Sequence, residues 1–227
     1  MAAEQSGAPY SLGEKNLPVV KDETPAERSE RGARSLLVAA RLLAGAITFF
    51  FLSFAFAYVY LKTSNVEGKW RPAHVEPVQS WGVVFVVCLV ISAALIVVAS
   101  RGQKAGKANW LTAAIGSLVF GVLAIVAQII EYTAQDFGPS NFAYASTFIA
   151  WTGFFLLVSL AALYWIEIVV ATEARERSNP AHSPGEGTVI PEHPDRLLPR
   201  GLDAAAFFWT YMVGTGVVMW VLVYLVK

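Results

Sequence analysis

Five long apolar segments dominate the sequence and limit what it can fold into. They cover approximately residues 36–61, 81–100, 110–132, 142–171 and 204–226. Each is close to the roughly 20 residues that an α-helix needs to cross the hydrocarbon core of a bilayer. Backbone groups in lipid must find partners within their own segment, which favours helices, and the alternating pattern of a transmembrane β-barrel is absent. The sequence therefore predicts an all-α integral membrane bundle of five transmembrane helices.

Composition agrees with a membrane location. Apolar residues make up 56% of the chain and charged residues 15%, whereas about a quarter of the residues in a soluble domain are charged. The formal net charge is zero, so we expect no basic face for nucleic acid. Cys88 is the only cysteine and lies inside an apolar segment, which leaves no thiol pair for a disulfide or a metal site.

Two polar stretches flank or interrupt the predicted membrane domain of residues 36–227. Residues 1–35 are rich in charge and predict a polar cytoplasmic tail that is poorly ordered unless a partner holds it. Residues 172–203 are rich in Pro, Glu and Arg and predict an irregular cytoplasmic loop.

The distribution of Lys and Arg predicts the orientation of the bundle. The connections on the N-terminal side carry Arg28, Arg31, Arg34, Arg101, Lys104, Lys107, Arg175, Arg177, Arg196 and Arg200. Those on the opposite side carry only Lys62, Lys69, Arg71 and Lys227. The positive-inside rule then places the N-terminus in the cytoplasm and the C-terminus outside, in a multi-pass protein of the cell membrane.

No residue pattern predicts a redox centre or an active site in this chain. His74, His182 and His193 all fall in predicted connections, so no histidine can provide a haem or copper ligand inside the membrane. Gly-rich phosphate loops, a nucleophile elbow and a CxxC motif are missing. We therefore expect no catalytic, cofactor-binding or metal-binding residues.

Two ionisable residues near the predicted cytoplasmic surface form a candidate pair. Arg41 lies near the start of the first segment and Glu167 near the end of the fourth. A charge at the membrane edge either finds an opposite charge or extends to the interface alone. An Arg41–Glu167 ion pair and independent extension of both side chains are the two interpretations.

Glu131 lies towards the outer end of the third segment, beside Gln128 and Tyr132. A carboxylate at this depth is costly and usually faces protein, water or a partner charge. These three residues form a polar network that either contacts a partner subunit or relays protons. Alternatively, Glu131 is a structural carboxylate, hydrogen-bonded at the membrane interface by a Tyr or Trp side chain.

Several segments, in the correct order, resemble subunit III of the haem-copper cytochrome c oxidases, in its short five-helix bacterial form. The first helix ends in an aromatic stretch before Trp70 and Pro72, and Gln128, Glu131 and Tyr132 match the family's Gln-x-x-Glu-Tyr. A Tyr-x-Ser-Thr-Phe…Thr-Gly-Phe tract and a final Trp-to-Tyr spacing complete the resemblance, which runs from about residue 36 to the end. These features stand at Tyr144, Ser146, Thr147, Phe148, Thr152, Gly153, Phe154, Trp209 and Tyr224.

The resemblance implies a non-redox subunit that stabilises subunit I and holds phospholipids during oxygen reduction coupled to proton translocation. Haem and copper then belong to partner subunits I and II of a hetero-oligomeric complex. Most titratable intramembrane positions of the family are apolar or neutral in this chain. The family's Glu falls at Ile47, its two His at Phe155 and Val158, and the His and Asp of its last helix at Thr210 and Val213.

Three other functions stay open at this point. A subunit-III-like accessory protein of a nitric oxide reductase would belong to the same superfamily. A membrane assembly or anchoring protein would bind its partner transiently. A small transporter or channel would need paired polar residues or broken helices near the midplane, and the apolar segments provide neither.

Overall fold

The computed structural model describes residues 25–65, 68, 70–72, 75–107, 109–178 and 198–226. Those residues form five helices and no strand. The helices are α1 (Pro25–Thr63), α2 (Gln79–Lys104), α3 (Trp110–Ala134), α4 (Ala143–Ser178) and α5 (Leu198–Trp220), and α5 continues into a final π-helical turn, Val221–Leu225. All five are long and apolar enough to cross a membrane, which confirms the predicted all-α fold class. The orientation of the termini stays a prediction.

All five helices extend beyond their predicted limits, and α1, α4 and α5 extend furthest. α1 begins at Pro25, inside the predicted tail, and α4 continues to Ser178. The added sequences are rich in Ala, Glu and Arg, which favour helix even outside the apolar segments. α5 begins at Leu198 with Pro199 in its first turn, where the missing N–H of proline has no intrahelical partner to lose. Residues 1–24 and 179–197 lie outside the described residues.

α2 and α3 form the most extensively packed pair of helices in the structure. A short turn joins them, and Gly106 in that turn has a φ of 65°, a left-handed conformation that glycine adopts without steric cost. The backbone N–H of Gly106 donates to the carbonyl of Gln103, and that of Lys107 donates to the carbonyl of Gly102. These bonds end α2 and return the chain directly into α3.

α5 occupies the centre of the bundle, and α1 lies at its edge. α5 packs against α1, α2 and α4, and Leu202, Trp209 and Met212 on it are fully buried. In contrast, only 22% of the apolar part of α1 is buried, against 44% for α5. α1 therefore contributes one face to the core, including Ala40 and Tyr58, and leaves most of its surface exposed.

Aromatic rings attach α1 to the bundle. Phe51, Phe54 and Phe50 of α1 lie within 5.3 to 5.8 Å of Phe154 on α4, measured between ring centroids. Phe49 and Phe56 on the same helix are largely exposed. The Phe-rich run of the first apolar segment therefore has one face against α4 and another on the outside of the bundle.

Candidate functional site

Glu131 is the centre of a buried hydrogen-bonded cluster at the end of α3. Gln128, Glu131 and Gln135 are spaced three and four residues apart, so they share one face of the helix. Glu131 is 0% exposed. Gln128 Nε2 donates to Glu131 Oε2 at 2.9 Å, and Gln135 Nε2 donates to Oε1 at 3.1 Å. The Tyr224 hydroxyl of α5 also donates to Oε1, which joins the two helices.

This Glu131 cluster, defined as Gln128, Glu131, Gln135 and Tyr224, is buried within the chain except at Gln135, which is partly exposed. Gln128 is 1% exposed and Tyr224 is 3% exposed. The donors that reach Glu131 are two amides and a phenol, all neutral groups. Because neither Gln128 nor Glu131 reaches the surface of the chain, the geometry supports a structural carboxylate over a direct partner contact for these two residues.

Tyr132, the third member of the predicted network, faces a different helix. Its hydroxyl donates to Thr152 Oγ1 of α4 at 2.7 Å, and Thr152 in turn donates to the carbonyl of Phe148. Gly153 lies alongside, where a methyl group in place of its hydrogen would stand 3.9 Å from the Tyr132 hydroxyl. The adjacent residues Glu131 and Tyr132 therefore fasten α3 to α5 and to α4, respectively.

The last turn of α5 is held by tyrosines from two other helices. This turn, Val221–Leu225, is π-helical, which changes the direction of its carbonyl groups relative to an α-helix. The Tyr144 hydroxyl donates to the carbonyl of Val223 at 3.1 Å, and the Tyr58 hydroxyl donates to that of Val226 at 2.9 Å. Hydroxyls of α1 and α4 thus satisfy carbonyls that the end of a helix leaves without partners.

A second buried polar cluster, which we name the serine clamp, joins α2, α3 and α5. Ser92 Oγ donates to the carbonyl of Ser117 at 2.7 Å, and Ser117 Oγ donates to the carbonyl of Ser92 at 2.9 Å. Trp209 Nε1 donates to Ser92 Oγ at 2.9 Å. Sequence reasoning missed this cluster, although the small residues Ser117 and Gly121 at helical spacing predict close packing of α3.

The Arg41–Glu167 ion pair is not formed in the structure. Both side chains are exposed, and the Arg41 guanidinium lies 5.9 Å from the centroid of the Phe207 ring. An ion pair does form at the ends of α2 and α5, where Lys104 Nζ is 2.9 Å from Asp203 Oδ2.

An apolar groove of about 330 Å³ lies between α1, α4 and α5. Ile47 of α1 and Val158 of α4 both line it. At both positions this sequence has an apolar residue, whereas the family that it resembles has a titratable one. The other lining residues are Leu43, Leu157, Ala161, Ala162, Trp165 and Phe208. The two replacements therefore have a common structural result, a groove without a titratable group on its lining.

The part of the chain that the structure describes contains no group of three or more His, Cys, Asp or Glu arranged to hold a metal ion. His74, His182 and His193 lie outside that part. Within it, the polar side chains of the Glu131 cluster and the serine clamp are joined by hydrogen bonds between helices.

The fold and the interior together define a class of protein: a five-span helical bundle of the membrane, with polar clusters directed inward. A family model described as cytochrome c oxidase subunit III matches residues 30–193. Because that match covers well over half of the sequence, this chain belongs to the cytochrome c oxidase subunit III family.

Two relatives show how far the similarity extends. Cytochrome c oxidase subunit 3 of Pylaiella littoralis is 30% identical over 135 residues, which cover 54% of this chain and 50% of the relative. Cytochrome c oxidase subunit 3 of Marchantia polymorpha is 25% identical over 198 residues, which cover 82% of this chain and 69% of the relative. The chain thus spans about half the length of the first relative and just over two thirds of the second.

Proposed function

We propose that this chain is the non-redox subunit III of a respiratory cytochrome c oxidase in a cell membrane. In this function it packs against subunit I, in a complex that also contains subunit II, and stabilises it while oxygen is reduced and protons are translocated. Haem and copper belong to the partner subunits, and phospholipids bind to this chain. Family membership supports this assignment.

The observation that carries the proposal is the contrast between a sealed interior and an apolar exterior. Glu131, Gln128, Ser92 and Ser117 are buried to 1% exposure or less, so they face no path through the bundle that is open to solvent. The outer surfaces of the helices present large apolar side chains. Such a chain has the properties of a structural subunit, since its exterior suits lipid and apolar partner helices.

The groove beneath Ile47 and Val158 supports the lipid part of the proposal. Its lining is made of aliphatic and aromatic side chains, which match the chemistry of an acyl chain. Arg41 is exposed on the same helix, less than two turns from Ile47, where a guanidinium can pair with a phosphate group. We therefore place one phospholipid with an acyl chain in the groove and its phosphate beside Arg41.

The first experiment is purification of the tagged chain in a mild detergent, followed by a reduced-minus-oxidised spectrum and a subunit inventory. The expected result is a fixed ratio of this chain to a large multi-helix subunit, with haem bands of an oxidase. Bands and subunits of a nitric oxide reductase would reassign the chain to that complex. A colourless preparation that contains only this chain would reject a subunit function and favour an assembly or anchoring protein.

The lipid site is tested separately by filling the groove. Ala161→Trp places an indole among the lining residues, and we expect one fewer phospholipid per chain in native mass spectra. Ala150→Trp on α4 is the matched control, because Ala150 is exposed and does not line the groove. Equal lipid numbers in the wild type and both variants would contradict the placement.

A further inference from the structure

The carboxyl group of Glu131 is buried without a basic residue to balance a negative charge. The three groups that donate to it are neutral, and among the described residues it forms no ion pair. An isolated ionised carboxylate in an apolar interior costs far more free energy than the neutral acid. The cluster therefore needs one positive charge that the described part of the chain does not provide.

The titratable and charged groups around the cluster are phenols, with one guanidinium beyond them. They are Tyr224 of α5, Tyr144 of α4, Tyr132 of α3, Tyr58 of α1 and Arg71 in the connection between α1 and α2. On α2, the residue that faces Tyr224 is Gly82. The Arg71 guanidinium lies over the ring of Tyr144, 5.3 Å from its centroid, and its contact is with that ring and not with Glu131.

The hydrogen bonds at the carboxyl group leave a position for a proton on Oε2. Glu131 Oε1 accepts from Gln135 Nε2 and from the Tyr224 hydroxyl, which occupies the two lone pairs of a carbonyl oxygen. Glu131 Oε2 accepts from Gln128 Nε2 at 2.9 Å. A neutral acid with Oε1 as its carbonyl and Oε2 as its hydroxyl therefore keeps all three hydrogen bonds.

The cluster also contains an acceptor for this proton. Gln128 Oε1 and Gln135 Oε1 are buried without a donor among the described residues, whereas buried polar atoms are normally paired. The Gln128 amide already contacts Oε2 through its nitrogen, and a half-turn about its last side-chain bond exchanges nitrogen and oxygen. Gln128 Oε1 then accepts from the hydroxyl of the neutral acid. One added proton thus removes a buried charge and supplies a donor.

We propose that the Glu131 cluster is a proton-binding site, in which Glu131 is held as the neutral acid with the proton on Oε2. The bound proton allows the Tyr224 hydroxyl to fasten the last turn of α5 to α3 without a buried charge. Gln135, the partly exposed member, connects the site to the surface of the chain. The inference does not depend on which complex contains the chain.

Infrared spectra of the chain in lipid, purified with the subunits that accompany it, test the proposal. A protonated carboxyl group has a C=O stretching band separate from those of carboxylates and amides, and Glu131→Gln should remove one such band per chain. Tyr224→Phe keeps the acid but removes a donor to its carbonyl oxygen, so the band should stay and move to higher frequency. Glu167→Gln is the matched control, because Glu167 is exposed on α4, and should leave the band unchanged.

Two spectral results would overturn the proposal. One is the loss of a carboxylate band, rather than an acid band, in Glu131→Gln. The other is an acid band that neither Glu131→Gln nor Tyr224→Phe changes. If Glu131→Gln does not fold, the frequency in Tyr224→Phe decides the question by itself.

The pH dependence of unfolding gives an independent measurement. In the unfolded chain Glu131 ionises as the pH rises, whereas the folded bundle keeps it neutral, so the free energy of unfolding should fall with increasing pH. Glu131→Gln has no proton to lose and should lack this part of the pH dependence, while Glu167→Gln should retain it. Identical profiles for the wild type and Glu131→Gln would overturn the proposal.

Discussion

The Glu131 cluster and the serine clamp solve the same problem in different ways. Both bury polar side chains in an apolar bundle, and both join α3 to neighbouring helices. In the serine clamp each of the three side chains is hydrogen-bonded, and every group is neutral. In the Glu131 cluster the carboxyl group accepts three hydrogen bonds, but Gln128 Oε1 and Gln135 Oε1 have no hydrogen-bond partner among the described residues.

The difference indicates which of the two clusters is more sensitive to substitution. Removal of the Ser92 hydroxyl from the serine clamp leaves one buried donor, the Trp209 indole N–H, without its acceptor. A network around a carboxyl group also leaves its donors buried without partners, and that desolvation cost is larger. Substitutions in the Glu131 cluster should therefore cost more stability than those in the serine clamp.

The largest effect is expected for Glu131→Leu. This change leaves the Tyr224 hydroxyl and two amide groups without an acceptor, and each such group costs about 1 to 3 kcal/mol. We expect a loss of about 4 kcal/mol in the free energy of unfolding, measured by denaturation in mixed micelles. Glu131→Gln keeps a carbonyl acceptor in place and should lose less than half as much. Equal losses for the two variants would show that the hydrogen bonds do not determine the effect.

Gly82→Ala should disturb the Glu131 cluster from outside. A methyl group at Gly82 would lie 2.6 Å from Tyr224 Cε1 and 3.1 Å from Trp220 Nε1, and overpacking of this kind costs about 1 to 3 kcal/mol. The two rings are stacked, so they can move only together, which displaces the Tyr224 hydroxyl from Glu131.

Gly214→Ala is the matched control for Gly82→Ala. A methyl group there meets no atom within 4 Å, and replacing glycine by alanine inside a helix gains about 0.5 to 1 kcal/mol. In the same denaturation experiment, we expect Gly82→Ala to lower the free energy of unfolding and Gly214→Ala to raise it. A destabilised Gly214→Ala would mean that the position is covered by something outside the chain.

A double-mutant cycle measures the serine clamp. Ser92→Ala removes a donor to Ser117 and the acceptor of Trp209, and should cost about 1 to 2 kcal/mol. Ser117→Ala should cost about 1 kcal/mol, and the double variant less than the sum because the bonds are shared. Exposed Ser53, which bonds to the carbonyl of Phe49 on its own helix, should tolerate alanine. Additive losses would show that the two serines act independently.

The smallest effect is expected for Tyr211→Phe. The hydroxyls of Tyr211 and Thr48 share one hydrogen bond of 2.7 Å between α5 and α1, at a partly buried position. A single bond of this kind between membrane helices is worth about 0.6 kcal/mol. The loss of unfolding free energy in Tyr211→Phe, measured in the same experiment, gives a reference value for one partly buried hydrogen bond. The losses measured in the two clusters are compared with it. A loss as large as that of Ser92→Ala would show that this hydrogen bond to α1 stabilises the bundle as much as the buried bonds of the serine clamp.

The sequence contained enough information for the elements and for part of the site. The number of helices follows from segment length, and the polar cluster follows from the spacing of Gln128 and Glu131 on one helix face. The partner of Glu131 does not follow, because Tyr224 is 93 residues away and its aromatic side chain suits a membrane interface equally well. For Arg41 and Glu167 the sequence left two interpretations open, an ion pair and independent extension, and the structure contains no ion pair between these two exposed side chains.

The serine clamp shows a second limit of sequence reasoning. Ser92 and Ser117 lie within apolar segments and are common, weakly polar residues. Only the rotation of α2 against α3 decides whether two such hydroxyls meet, and no local pattern records that rotation. Helix ends are limited in a similar way, since Ala, Glu and Arg continue α1 and α4 after the apolar signal has ended.

α1 is much longer than a membrane-spanning helix needs to be. Its 39 residues extend about 58 Å at 1.5 Å per residue, nearly twice the roughly 30 Å of a hydrocarbon core. The part before Arg34 continues the candidate membrane span, Arg34–Thr63, as an unbroken helix, so each residue in it fixes both a distance and a direction. Inserting one residue between Pro25 and Arg34 would rotate whatever is attached ahead of it by about 100°, while leaving the membrane bundle unchanged.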